Sequence, residues 1–105
     1  MYIVKGKEKL KIKTCNNIFN RFLGLMFKKN INYGLCFPRC NSIHTFFMLQ
    51  PIDVIMTDKN YTILYVFKNL KPNKVILPKK NVYYTFELPI NKFNFNIKEK
   101  VKVTD

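Results

Sequence analysis

Residues 51–67 run Pro51-Ile52-Asp53-Val54-Ile55-Met56-Thr57, then Asp58-Lys59-Asn60, then Tyr61-Thr62-Ile63-Leu64-Tyr65-Val66-Phe67. Both flanks are rich in β-branched and aromatic side chains, which suit a pleated, half-buried surface. The Asp-Lys-Asn between them tolerates the backbone conformations of a tight reversal. The stretch therefore predicts an antiparallel hairpin with strands over 52–57 and 62–67. Upstream, Glu8 to Thr14 places Leu10 and Ile12 on one face and Lys9, Lys11 and Lys13 on the other, the period of a half-buried strand. Further short apolar segments fall at 35–37, 43–48, 75–77, 82–88, 93–97 and 101–103, and all five prolines lie at segment ends, where a missing amide donor harms a ladder least.

One stretch has a different period. Cys15-Asn16-Asn17 offers a cap before Ile18, Phe19, Phe22, Leu23 and Met26, whose spacing predicts an amphipathic helix of two to three turns. Gly24 inside it costs about 1 kcal/mol against Ala, which points to close packing or a bend. Seven to eight short strands with one short N-terminal helix predict a mainly β fold, a small sandwich or partly open barrel, forming a single domain over 1–105.

The chain is 48% hydrophobic with ten Phe and six Tyr, enough for a core without staples, so disorder is disfavoured. No apolar run approaches the roughly 18 residues of a spanning helix, and five lysines within Met1–Thr14 interrupt any apolar segment of a signal peptide. Three cysteines exclude a full disulfide framework, and reduced thiols in the cytoplasm are the simplest reading. The net charge of +13 raises weak, non-specific polyanion binding. Against sequence-reading of nucleic acid stands the make-up of that charge, 17 Lys and only Arg21 and Arg39, since the planar fork that reads guanine belongs to Arg. Thirteen Asn and no Ala are the skew expected of an A/T-rich genome, so the basic surface reads first as a solvated one.

Three motifs carry a resemblance. Arg21-Phe22-Leu23-Gly24-Leu25-Met26, Cys40-x3-His44-Thr45-x2-Met48 and Gln50-Pro51-Ile52-Asp53 together resemble domain of unknown function family 192, also called uncharacterised protein family 0127. Leu70-Lys71-Pro72 and Phe86-Glu87-Leu88-Pro89 are similar to its downstream signposts. The resemblance implies a compact, mainly β domain and no particular activity. Gly24, Met26, Met48, Pro51 and Glu87 take structural roles in this reading. Phe47 stands where many members have Trp, Glu99-Lys100 replaces a terminal Gly-Asp, and Asn91 stands where Gly often follows Glu-Leu-Pro; Asn can hold a left-handed position at modest cost.

Cys36, Cys40, His44 and Met48 recur at intervals of four. On a straight strand neighbours so spaced lie about 13 Å apart, so a shared ion needs a turn within 38–43, which leaves Cys40 with His44 as the metal-ligating pair to consider. His44 is the only histidine, which excludes a two-histidine copper site within one chain. Asp53 is an acid in an apolar strand and needs a partner, for which Arg21, or else His44 or Thr45, is available. Any ligand site is expected around Arg21, Cys40, His44 and Asp53. No phosphate loop, dinucleotide fingerprint or nucleophile elbow is present. The expectation is a non-catalytic binding or accessory module with no cofactor, whose partner is a small ligand or a protein; the alternatives are a Cys/His metal-binding protein, a lysine-driven nucleic-acid binder and a small hydrolase.

Overall fold

Alternation of apolar side chains decides the architecture. In the computed structural model, which describes residues 1–16 and 31–105, nine strands form: β1 (Tyr2–Lys5), β2 (Glu8–Thr14), β3 (Gly34–Pro38), β4 (Ile43–His44), β5 (Ile52–Thr57), β6 (Ile63–Leu70), β7 (Val75–Ile76), β8 (Tyr84–Leu88) and β9 (Lys102–Thr104). Seven of them make one sheet in the order β6-β5-β8-β3-β2-β1-β9, antiparallel throughout except for the β2–β3 pair. β4 and β7 pair with each other in a small second sheet.

The large sheet curls until its ends meet. The Ile63 amide donates to Glu99 O (2.9 Å), the Lys98 amide to Ile63 O (2.8 Å) and the Val101 amide to Tyr61 O (2.9 Å), so the chain leading into β9 lies along the start of β6. Inside the curl, Ile3, Leu10, Ile12, Cys36, Ile55, Ile63, Phe86 and Leu88 pack with Phe93, Phe95 and Val101. On the outer face, Leu35, Phe37, Ile52, Val54 and Met56 pack with Cys15, Ile31, Met48 and Ile76. β5 is thus covered on both faces, which is why it reads as a continuous apolar run.

The 52–67 hairpin forms with β5 as expected. Its reversal takes five residues: Asp58 Oδ1 accepts from the Asn60 amide (2.8 Å) and the Thr62 amide (3.0 Å), and Tyr61 rather than Asn60 takes the left-handed backbone, at φ 65°. Asn69, Asn73, Asn81 and Asn91 also adopt positive φ, between 53° and 68°. In a chain with only three Gly, Asn supplies four of the eight left-handed non-Gly positions among the described residues, so part of the Asn excess is structural. Gly34 is required for another reason, because a Cβ there would lie 2.6 Å from Ile12 Cδ1, 2.8 Å from Leu88 Cδ2 and 3.1 Å from Glu87 O.

Two expectations change, and a third concerns residues outside the described ones. The short N-terminal helix is not borne out among the described residues, and its stretch, Ile18 to Met26, lies outside them, as do Arg21, Gly24 and the N-terminal motif. The segment 93–97 is not a strand: Phe93 and Phe95 are buried and Asn94 and Asn96 exposed, so a non-ladder segment packed on the core shows the same alternation. Of 43–48 only Ile43 and His44 are strand, because the Thr45 hydroxyl and backbone are taken up by the 71–74 loop. Tyr2–Lys5 adds a strand, turned into β2 at Gly6 with φ 60°.

Candidate functional site

Asp53 illustrates how the fold disposes of a charged group in an apolar strand. Ile52 pairs with Leu70 and Val54 with Phe67, so Asp53 faces two residues of β6, Lys68 and Asn69, in a β-bulge. Asp53 Oδ1 accepts from the Asn69 amide (2.8 Å), while Oδ2 accepts from the Asn91 amide (3.1 Å) and from Lys68 Nζ (2.9 Å). Both amides belong to left-handed Asn residues, at φ 53° and 62°. The carboxylate fastens the bulge of β6 to the turn after β8, and Asn91 does occupy the left-handed position that its place in the motif implies. Lys68 Nζ also donates to Phe93 O, which sets Asp53 on the inner side of the sheet.

Cys40 and His44 lie elsewhere. Arg39, at φ 53°, turns the chain after β3, and the Cys40 amide then donates to Tyr83 O (3.0 Å) while its thiol donates to Ser42 O (3.1 Å). Cys40 and Ile43 pack on the outer cluster. His44 sits opposite Val75 in the small sheet, its ring stacked on Phe46 with centroids 5.2 Å apart and its Nδ1 accepting from the Phe46 amide (3.2 Å). The structure therefore brings Cys40 and His44 to the outer side of the sheet and holds Asp53 on the inner side. Thr45, one of the partners considered for Asp53, instead accepts from the Lys74 amide (2.8 Å) and donates to Lys71 O (2.8 Å). Among the described residues no three His, Cys, Asp or Glu side chains gather into a metal-sized cluster.

Three buried ionisable groups sit in the core, Glu87 and Cys15 on the outer side of the sheet and Cys36 inside the curl. Glu87 lies between Leu35 and Val54 in the ladder, and burial pushes its carboxyl up to about 8. Burial, then the charge of Glu87, raises the Cys15 thiol, and burial drives Cys36 up to about 12. Thiolate chemistry is thereby suppressed at both cysteines. A shallow groove of about 410 Å³ runs between the 58–60 reversal and residues 81–83, but its Asp58 carboxylate is already engaged by the hairpin's own amides.

The sequence pattern places Phe46 and Phe47 in the apolar segment 43–48, yet the structure exposes both, and Leu49 after them. Val75, across from His44 in β7, and Leu77, just beyond β7, are exposed as well. Leu77 is 68% accessible, Phe47 60% and Val75 54%, while Ile43, Met48 and Ile76 turn inward between them. The loops of this lobe are tied together by Thr45, whose amide donates to Lys74 O (2.8 Å) and whose carbonyl accepts from the Asn73 amide (3.0 Å). Phe47 itself adopts φ 62°, a conformation rare for a bulky aromatic residue and costing about 1–2 kcal/mol.

The profile of the DUF192 family, described as an uncharacterised ACR, matches residues 2–104. The chain belongs to this family. This DUF192 domain is 38% identical over 104 residues to a UPF0127 protein of Thermococcus sibiricus, the match covering 90% of this chain and 67% of that protein. It is 41% identical over 86 residues to a UPF0127 protein of Thermococcus kodakarensis, covering 76% of this chain and 54% of that one, so the chain spans about half to two thirds of these relatives. A solved structure of a protein of unknown function from Novosphingobium aromaticivorans superposes with TM-score 0.73 at 15% identity, over 86% of this chain and 72% of that one, a likeness of fold. No helix among the described residues of the DUF192 domain is long and apolar enough to cross a membrane.

Proposed function

We propose that this domain is a non-catalytic binding module that engages a protein partner through the lobe of β4, β7 and their loops. The observation that carries this reading is Phe47, an aromatic side chain held 60% accessible on a left-handed backbone. Exposure of one large apolar residue is ordinary, but Phe47 stands in a lobe with Phe46, Leu49, Val75 and Leu77, all exposed. Such a lobe gains free energy when another apolar surface covers it, at about 25 cal/mol per Å² of apolar area removed from water. The other polar features have internal uses: Asp53 braces a bulge, Asp58 closes a hairpin, and Thr45 ties two loops.

The test is selection of a phage-displayed library of random 16-residue peptides on the immobilised protein, followed by affinity measurement on Phe47→Asn and Leu77→Ser. Asn suits the left-handed backbone at 47, and thermal melting confirms that each variant is folded before its affinity is read. Peptides that bind wild type and weaken at least tenfold on both folded variants support the reading. Recovery of no peptide, or of peptides indifferent to both substitutions, overturns it.

A further inference from the structure

Charge around the lobe specifies the partner more narrowly. Residues 39–50 and 70–82, which build β4, β7 and their loops, contain Arg39, Lys71, Lys74, Lys79 and Lys80 and no Asp or Glu. We propose that the lobe takes an acidic protein segment whose apolar side chains cover Phe46, Phe47, Val75 and Leu77; this rests on the binding-module reading and sharpens it.

Three considerations fix the chemistry. A second copy of this chain would bring the same lysines against one another, on molecules each carrying +13. Acidic residues on a partner meet Lys71 and Lys74, both exposed on the loop that wraps Thr45, at no cost in repulsion because the lobe carries no acid of its own. The exposed apolar residues of the lobe include three aliphatics, Leu49, Val75 and Leu77, as well as the two aromatics. Single-stranded nucleic acid is held by aromatic stacking platforms, whereas aliphatic side chains are best desolvated by other apolar side chains. With four lysines to one arginine, Arg39, the lobe supplies mostly charge and little of the forked geometry that reads bases and clamps phosphate, so its electrostatics select sign and speed of encounter while the apolar face supplies the affinity.

The experiment uses two display libraries with Leu and Phe at the same fixed positions, the remaining positions drawn from Asp, Glu, Ser and Gly in one and from Lys, Arg, Ser and Gly in the other. The proposal expects binders from the acidic library only, weakening at least tenfold on Phe47→Asn and several-fold between 50 and 500 mM salt. It expects Lys71→Glu with Lys74→Glu, both on exposed side chains, to move selection to the basic library. Equal recovery from both libraries, still sensitive to Phe47→Asn, overturns the acidic assignment and leaves the binding-module reading standing. Recovery from neither overturns both. Binding of a dT20 oligonucleotide at 150 mM salt that is lost in Phe47→Asn assigns the lobe to nucleic acid and overturns the proposal.

Discussion

Replacing Asp53 by Ala separates two accounts of what that carboxylate does. Asp53 is 4% exposed and accepts three hydrogen bonds, from Lys68 Nζ and from the Asn69 and Asn91 amides. If the ion pair dominated, Lys68→Met would cost as much as Asp53→Ala. The Lys68 side chain is 43% exposed, however, so its ammonium returns to water when the carboxylate is lost, and such a pair is worth about 0–1 kcal/mol. The amides are different, because each loses a charged acceptor, at about 1.5–3 kcal/mol per bond, and each holds an Asn in a left-handed conformation. Both Asn residues are exposed, so water recovers part of that loss. We expect Asp53→Ala to cost about 2–4 kcal/mol, Asp53→Asn about half as much because one acceptor oxygen remains, and Lys68→Met under about 1 kcal/mol. Urea denaturation followed by circular dichroism measures all three from the midpoint and slope. Coincident midpoints for Asp53→Ala and wild type, or a Lys68→Met cost equal to that of Asp53→Ala, would refute the reasoning.

Burial raises the Glu87 carboxyl to about 8 against an ordinary value of 4.5, so the folded protein keeps a proton that the unfolded chain releases. Stability from the neutral form is full below pH 4.5 and falls as pH rises toward 8, at up to about 1.4 kcal/mol per pH unit. Glu87→Gln should remove that slope, and melting curves for the two proteins that stay parallel from pH 5 to 8 would contradict it. Cys40 should react with iodoacetamide at pH 7.5 before Cys15 and Cys36, which are buried with raised thiols, and mass spectrometry showing equal labelling of all three would count against the placement. Binding to single- or double-stranded DNA should be weak, indifferent to base sequence and lost between about 50 and 200 mM salt, because 17 of the 19 basic residues are Lys; a sequence-specific complex surviving 200 mM salt would overturn that expectation.

Much of the sheet was legible because its signals are local. Glu8–Thr14 alternates cleanly, and Ile52–Thr57 is bounded by Pro51 and Asp58. The partner of Asp53 was not legible, since one extra residue in β6 brings Lys68 and Asn69 opposite it and a bulge leaves no mark in hydrophobic pattern. Phe93–Ile97 misled for a related reason: period-two burial arises from packing on a core with or without a ladder. The exposed lobe was the hardest to see. Ile43-His44-Thr45-Phe46-Phe47-Met48 has the composition of a buried strand, and only the capture of Thr45 by the 71–74 loop turns Phe46 and Phe47 outward. Asn91, in contrast, was legible through its place in the family motif, because a position that favours Gly is one that needs positive φ.

Amide hydrogen exchange with and without a saturating acidic-library peptide tests most directly whether the lobe of β4 and β7 is where this domain meets its partner. The predicted result is new protection confined to residues 43–49 and 71–77, absent in Phe47→Asn. Protection centred instead on the 58–60 and 81–83 groove or along β6, or protection unchanged by Phe47→Asn, would contradict it.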